Sequence, residues 1–261
     1  MQTSPLSPAD ALRWYLAAGV DEVIGEEPVD RYAQSAKPST RAPLAQAGAY
    51  TAPAAPQQPE APSSAHLAMA ATNLAELKSA MESYDGCALK KTCQQTVFAD
   101  GDPSARLMII GEAPGADEDR LGLPFVGASG KLLDRMLASI GLDRTRAYIT
   151  NVVPWRPPGN RKPEPTEVEL CLPFITRHIE LVDPAVLLLL GGASVSALLA
   201  RTDSITRLRG GFIDYSSPRL ARPIPAMPTF HPAYLLRTPL AKREVWRDLL
   251  LVRQKLDSSA V

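Results

Sequence analysis

Four short segments of the chain carry side chains capable of chemistry. Gly111-Glu112-Ala113-Pro114-Gly115-Ala116-Asp117-Glu118-Asp119 joins a glycine and proline turn to a run of carboxylates; such a turn exposes backbone N–H groups and sets acids beside them. Gly122-Leu123-Pro124-Phe125-Val126-Gly127 holds one aromatic ring between glycines, where it can stack on a planar ligand such as a nucleobase. Thr150-Asn151-Val152-Val153-Pro154-Trp155-Arg156-Pro157-Pro158 supplies a carboxamide that can offer a donor and an acceptor to one edge of a pyrimidine. Phe230-His231-Pro232-Ala233-Tyr234-Leu235-Leu236-Arg237 supplies an imidazole, an apolar pair and a cation, a combination suited to entering a DNA groove and displacing a base.

Each of these residues also has a plain structural reading. Phe125 serves equally as core, Asn151 as a cap on the loop that follows it, His231 as a structural histidine, and Leu235 and Leu236 as the start of a buried helix. Two common nucleotide motifs are absent. The acidic loop lacks the third glycine of G-x-G-x-x-G, and the Gly130-Lys131-Leu132 segment fails as a P-loop because Phe125 and Leu132 stand where Gly and Ser/Thr are required.

The elements that must position these loops are legible as apolar runs. Arg106–Ile110, Ala147–Val153, Ala185–Gly191 and Ile224–Phe230 read as strands, separated by helical patterns at Gly130–Ile140, Thr166–Val182 and Ser194–Ala200 and followed by an amphipathic helix at Arg243–Leu256. Asn73–Tyr84 reads as a helix leading in. Short, continuously apolar strands alternating with helices predict a parallel sheet covered on both faces, a three-layer α/β/α sandwich with four parallel strands. In such a sheet the functional loops lie beyond the carboxyl ends of the strands, here at Gly111, Asn151, Gly191 and His231.

Composition divides the chain. Residues 1–85 carry 5 Lys/Arg against 10 Asp/Glu, and residues 86–261 carry 23 against 18, so the second part alone suits a polyanion such as DNA. Ser7–Val20 reads as a short helix capped by Ser7, with Pro8 at its first position, within an amino-terminal segment of residues 1–36 that can dock on the main domain or bind a repair or replication partner. Residues 37–70 read as a disordered Pro/Ala-rich linker, because Lys37–His66 holds six Pro and nine Ala with hardly a large apolar side chain. Residues 71–261 form the main domain. No apolar run is long enough for a membrane span, and the first residues lack a signal-peptide pattern, so a cytoplasmic protein with no membrane partner is expected. Three cysteines, an odd number, argue against a disulfide framework.

Together GEAPGADED, PFVGASGKLLD, ITNVVPWRPP and FHPAYLLR, in this order, resemble the uracil-DNA glycosylase superfamily, and within it family 4. The resemblance covers about residues 86–255. It implies a monomeric enzyme that flips uracil out of single- or double-stranded DNA and hydrolyses its N-glycosidic bond. Matched position by position, it implies that Phe125 stacks on uracil, Asn151 hydrogen-bonds its edge, and His231 stabilises the negative charge developing on O2. Glu112 and Glu118 become the candidates for a carboxylate that offsets the oxocarbenium-like sugar or orients water. The backbone of Gly111, Ala113 and Gly115 lines the pocket, and Leu235 and Arg237 fill the space of the flipped nucleotide. Arg156, Arg161, Arg209 and Lys242 are candidates for phosphate contacts.

The family-4 pattern includes an iron–sulfur cluster on four cysteines, and this chain departs from it. Cys87 and Cys171 match cluster positions, but Lys90 and Trp155 stand at the other two, and Cys93 has an atypical spacing. The expectation is a protein without a cluster or other cofactor, with Trp155 filling the vacated volume. The segment Pro157–Lys162 contains no histidine, unlike the superfamily members that trap uracil-DNA covalently, so turnover is expected. The rival readings are a non-catalytic binder of uracil or single-stranded DNA, a glycosylase for another deaminated base, and a purely structural α/β domain.

Overall fold

A computed structural model describes residues 63–258. The expected helix at residues 7–20, the segment 1–36 and most of the linker lie outside the described residues. Numbered in chain order, the described elements are α1 (Ser64–Ala70), α2 (Leu74–Ser83), β1 (Asp100–Gly101), β2 (Leu107–Gly111), α3 (Ala116–Leu121), α4 (Ala128–Ala138), β3 (Tyr148–Asn151), α5 (Pro165–Val182), β4 (Val186–Leu190), α6 (Gly192–Leu199), α7 (Ile205–Leu208), β5 (Ile213–Tyr215), β6 (Ile224–Thr229), α8 (Pro232–Arg237) and α9 (Lys242–Ser258).

The strands form one sheet in the order β1-β3-β2-β4-β6-β5. Its inner four are parallel, with Ile109 of β2 level with Ile149 of β3 and Leu188 of β4. The antiparallel edge strands β1 and β5 raise the expected four strands to six. They escaped the sequence reading because two and three residues make no apolar run, and their pairing is supplied by the neighbouring strand.

Every residue of β2 and β4 is buried, as a sheet covered on both faces requires. Met108, Ile110, Leu187 and Leu189 face one layer with Leu77, Phe174 and Ile179 of α2 and α5. Leu107, Ile109, Val186 and Leu188 face the other with Leu133, Leu137, Val245 and Leu249 of α4 and α9. The α/β/α sandwich is therefore present as expected.

The last part of the segment 37–70, expected as linker, is helical. Residues 64–70 form α1, capped by Ser63, whose hydroxyl accepts from the His66 N–H at 3.2 Å. Arg177 of α5 donates to the Ala71 carbonyl at 2.9 Å. An Ala-rich segment with so little apolar bulk folds here because α5, far along the chain, gives it a surface, which local composition does not reveal.

Candidate functional site

Parallel pairing ends with Gly111 opposite Asn151. Beyond that register the Val152 N–H donates to the Gly111 carbonyl at 2.9 Å and the Val153 N–H to the Glu112 carbonyl at 3.0 Å. The two strand ends are thus locked side by side, and Asn151 stands against Gly111. A Cβ on Gly111 would lie 2.4 Å from Asn151 Oδ1 and 2.5 Å from Phe125 Cζ, so glycine is what lets both side chains share this corner.

A cavity of about 670 Å³ opens there, between Glu112, Phe125, Asn151, Lys162, His231 and Arg237. Ala113 and Gly115 form part of its wall. All four sequence segments meet in it, at the carboxyl edge of the parallel strands. A cavity of about 560 Å³ at the opposite edge, beside Arg106, Asp183 and Arg222, gathers none of them.

Asn151 is 5% exposed, and its carboxamide oxygen has no hydrogen-bond partner within the described residues. A buried acceptor left unsatisfied costs roughly 1–3 kcal/mol. His231 caps α8, and its Nδ1 accepts from the Ala233 N–H at 3.1 Å. Burial, and then the nearby Arg237 charge, push its imidazole down to about 4, against a smaller upward pull from Glu118. At neutral pH the ring is therefore uncharged, with its proton on Nε2. Its centroid lies 5.7 Å from that of Phe125.

Phe125 is 5% exposed and has φ +54°, a left-handed conformation costing a residue other than glycine about 1–3 kcal/mol. The loop around it is held from both signs of charge. Glu118 accepts from the Val126 and Gly127 N–H groups at 3.0 and 2.9 Å with one oxygen and from Gly115 N–H at 3.1 Å with the other. Arg144 donates to the Pro124 carbonyl at 3.2 Å and to the Phe125 carbonyl.

The two carboxylates paired by the sequence reading thus have different surroundings. Glu118 has both oxygens committed to the backbone of two loops. Glu112 lines the cavity with no such ties, and burial raises its carboxyl above the usual range, opposed in part by the Lys162 charge. Asp119 is buried and accepts from the Gln94 N–H at 2.7 Å, so it anchors the cysteine-bearing segment.

Several expectations are corrected by burial and pairing. Leu235 is 1% exposed and belongs to the core, so it is not free to enter DNA; Leu236 and Tyr234 are the exposed apolar groups of α8. Arg156 donates to Asn160 at 2.7 Å and lies 3.8 Å from Asp119, bracing its own loop. Arg209 is bound to Glu244 and Asp248 and lies over the Phe230 ring, so it supports the end of β6 and faces no phosphate. Lys242 borders a separate apolar groove with Leu132 and Trp246. Arg161 does border the cavity, while forked onto Glu167 at 2.6 and 2.8 Å. The sequence reading missed Lys162 and Tyr234 at the rim and Arg144 behind Phe125. A lone cation in a turn carries no signature, and only the fold brings Arg144 to its partners.

An α/β/α sandwich in which Asn151 ends β3, a neutral His231 follows β6 and the Phe125 ring enters from the loop between α3 and α4 gathers an amide, an imidazole and an aromatic ring in one cavity, the arrangement expected of the DNA glycosylase class. Residues 98–250, more than half of the chain, match the Uracil DNA glycosylase superfamily, and the chain belongs to that family. It is similar to the type-4 uracil-DNA glycosylase of Sulfurisphaera tokodaii, 37% identical over 70% of this chain and 84% of the relative. That of Saccharolobus solfataricus is 39% identical over 67% and 82%, and that of Archaeoglobus fulgidus 41% identical over 62% and 82%.

This kinship corrects the expectation of a cofactor-free protein. The type-4 relatives are iron–sulfur cluster proteins, so absence of the cluster does not follow for a member of this group. Of the cluster positions, Cys87 and Cys171 are buried in mutual contact, and the hydrogen bond from Cys171 draws Cys87 down to about 7. The thiol of Cys93 lies 3.3 Å from the Lys90 carbonyl, Lys90 turns out to Asp85 at 2.8 Å, and Trp155 is buried, donating to Thr96 at 3.0 Å. Among the described residues no three or more His, Cys, Asp or Glu side chains are grouped to hold a metal. The three cysteines present do not make up a four-cysteine set.

Proposed function

We propose that this protein excises uracil from DNA, hydrolysing the bond between uracil N1 and the deoxyribose C1′ and leaving an abasic site for base-excision repair. As a member of the superfamily it is a hydrolase of N-glycosyl bonds. The observation that carries the finer reading is the unpartnered buried oxygen of Asn151 in one cavity with a neutral His231 and the Phe125 ring.

Uracil offers an N3–H donor between two carbonyl acceptors. The Asn151 oxygen can accept from N3–H, which relieves its own unsatisfied state on binding. Phe125 supplies a face for stacking. As the C1′–N1 bond breaks, the electron pair passes into the uracil ring and charge gathers on O2. An uncharged imidazole donating through Nε2–H stabilises that charge without having to be neutralised itself.

The departing base leaves a positive sugar and goes as an anion; water completes the reaction by adding its oxygen to C1′ and giving one proton to a neighbouring carboxylate, and the uracil anion takes up a proton from solvent. Glu112 is the carboxylate assigned to this step, because it borders the cavity free of backbone ties and its raised proton affinity makes it a stronger base. Glu118 holds the pocket instead of reacting. Lys162 and Arg237 at the rim are suited to phosphates, and Leu236 and Tyr234 to the gap left in the stack.

Incubation with a labelled oligonucleotide containing one uracil, followed by alkaline cleavage, tests this reading. Scission confined to uracil, strongly reduced in Asn151→Ala and His231→Ala, is expected. Intact DNA with retained uracil-specific binding would make the protein a binder.

A further inference from the structure

The ring proposed to cover uracil is set in place by a residue outside the cavity. Arg144 lies in the 3-10 turn Arg144–Arg146 between α4 and β3. Each of its three guanidinium nitrogens is engaged. Nε donates to Asp134 at 2.7 Å, Nη1 to Asp100 and to the Pro124 carbonyl at 3.2 Å, and Nη2 to the Phe125 carbonyl.

A brace between β1 and α4 would need the two carboxylates alone. The fork also takes two successive carbonyls, at the one place where the chain turns through a left-handed phenylalanine. Past it, the Val126 and Gly127 N–H groups go to Glu118. The four backbone groups flanking the ring are therefore fixed by one cation on the carbonyl side and one anion on the amide side. Gly130 closes the seat: a Cβ there would lie 1.6 Å from the Phe125 carbonyl oxygen.

We propose that Arg144 is a positioning residue for base stacking, acting through the Phe125 carbonyl to hold the ring over the flipped uracil. The inference rests on the uracil-excision reading above. Lysine does not replace the fork, because a point ammonium cannot hold two carbonyls and two carboxylates in one plane.

A double-mutant cycle of Arg144→Lys and Phe125→Ala tests it, reading kcat/KM on a uracil oligonucleotide, inhibition by free uracil, and Tm. Arg144→Lys alone is expected to lower kcat/KM about tenfold, as a small misplacement of a positioned group does, and to weaken uracil inhibition with it. In the Phe125→Ala background the same change is expected to alter kcat/KM by less than about twofold, since residues acting through one another are not additive. Independent losses that multiply, or a drop in Tm with uracil inhibition unchanged, would overturn the inference while leaving the excision reading intact. A wild-type protein that leaves uracil-DNA uncut overturns both. If Arg144→Lys does not fold, Asp134→Ala, which frees Nε from a half-exposed partner, takes its place in the cycle with the same outcomes.

Discussion

His231 accepts at Nδ1 a 3.1 Å hydrogen bond from the backbone N–H of Ala233, which leaves Nε2–H as the donor of its neutral ring. Burial holds the imidazole at about 4, below the ordinary 6.5. Protonation of His231 should therefore cost no kcat/KM as pH falls through 6.5, so that any acid limb above about 4 belongs to Glu112, whose carboxyl is raised by burial. A pH profile from about pH 4 to about pH 8 checks this. A limb at the ordinary imidazole value that persists in Glu112→Gln would mean a solvated histidine and would sink the neutral-donor mechanism.

The same shift has a cost in stability with a definite sign. Between about 4 and 6.5 the unfolded chain binds a proton at His231 that the folded chain does not. Stability therefore falls as pH is lowered through that window. His231→Gln should reduce the slope there and leave the part due to His178, which burial likewise lowers, to about 3, read from urea unfolding midpoints at several pH values. Equal slopes in the two proteins would show that the ring is hydrated in the folded state.

Asn151 separates binding from folding. Its oxygen is buried without a partner, so Asn151→Ala removes an acceptor that contributes nothing to the folded chain and should leave stability within about 1 kcal/mol. Loss of the bond to uracil should lower kcat/KM roughly 10-fold to 100-fold, from the same 1–3 kcal/mol range. Thermal unfolding beside the excision assay reads both, and a variant that unfolds readily while excising normally would make Asn151 an ordinary loop cap.

The residues read from sequence as chemical and those the site uses overlap where local pattern is sufficient. Continuous apolar runs predicted the four parallel strands and hence where Glu112, Asn151 and His231 would meet. The failures all depend on partners outside the segment in which the residue stands. Leu235 and Leu236 are equivalent as letters, and only the packing of α8 decides that the first is core. Glu112 and Glu118 are both acids in one loop, yet the Val126 and Gly127 amides claim the second. Arg209 looked like a phosphate ligand until Asp248 and Glu244 took its charge.

The α8 leucines give a direct contrast. Leu235→Ala should destabilise the protein by about 2–5 kcal/mol, the range for emptying a core position. Leu236→Ala, on a side chain 47% exposed, should leave the unfolding midpoint nearly unchanged. If Leu236 fills the stack behind a flipped base, its truncation should also reduce excision from duplex DNA more than from a single strand, where there is no stacked partner to displace. Equal reductions on the two substrates would remove it from base displacement.

Gly111→Ala tests whether the corner between β2 and β3 is built for the pocket or for the sheet. The added Cβ would lie 2.4 Å from Asn151 Oδ1 and 2.5 Å from Phe125 Cζ, and its nearest neighbours are these two side chains, not backbone. Side chains can move where backbone cannot, so the sheet register should survive while both uracil contacts are pushed aside. Excision should then fall by about 100-fold or more, since displacements near 1 Å cost that much in an oriented site, with an unfolding midpoint close to wild type. Loss of folding in step with activity would instead show that the close packing of Asn151 and Phe125 on Gly111 is part of what holds the two strand ends together.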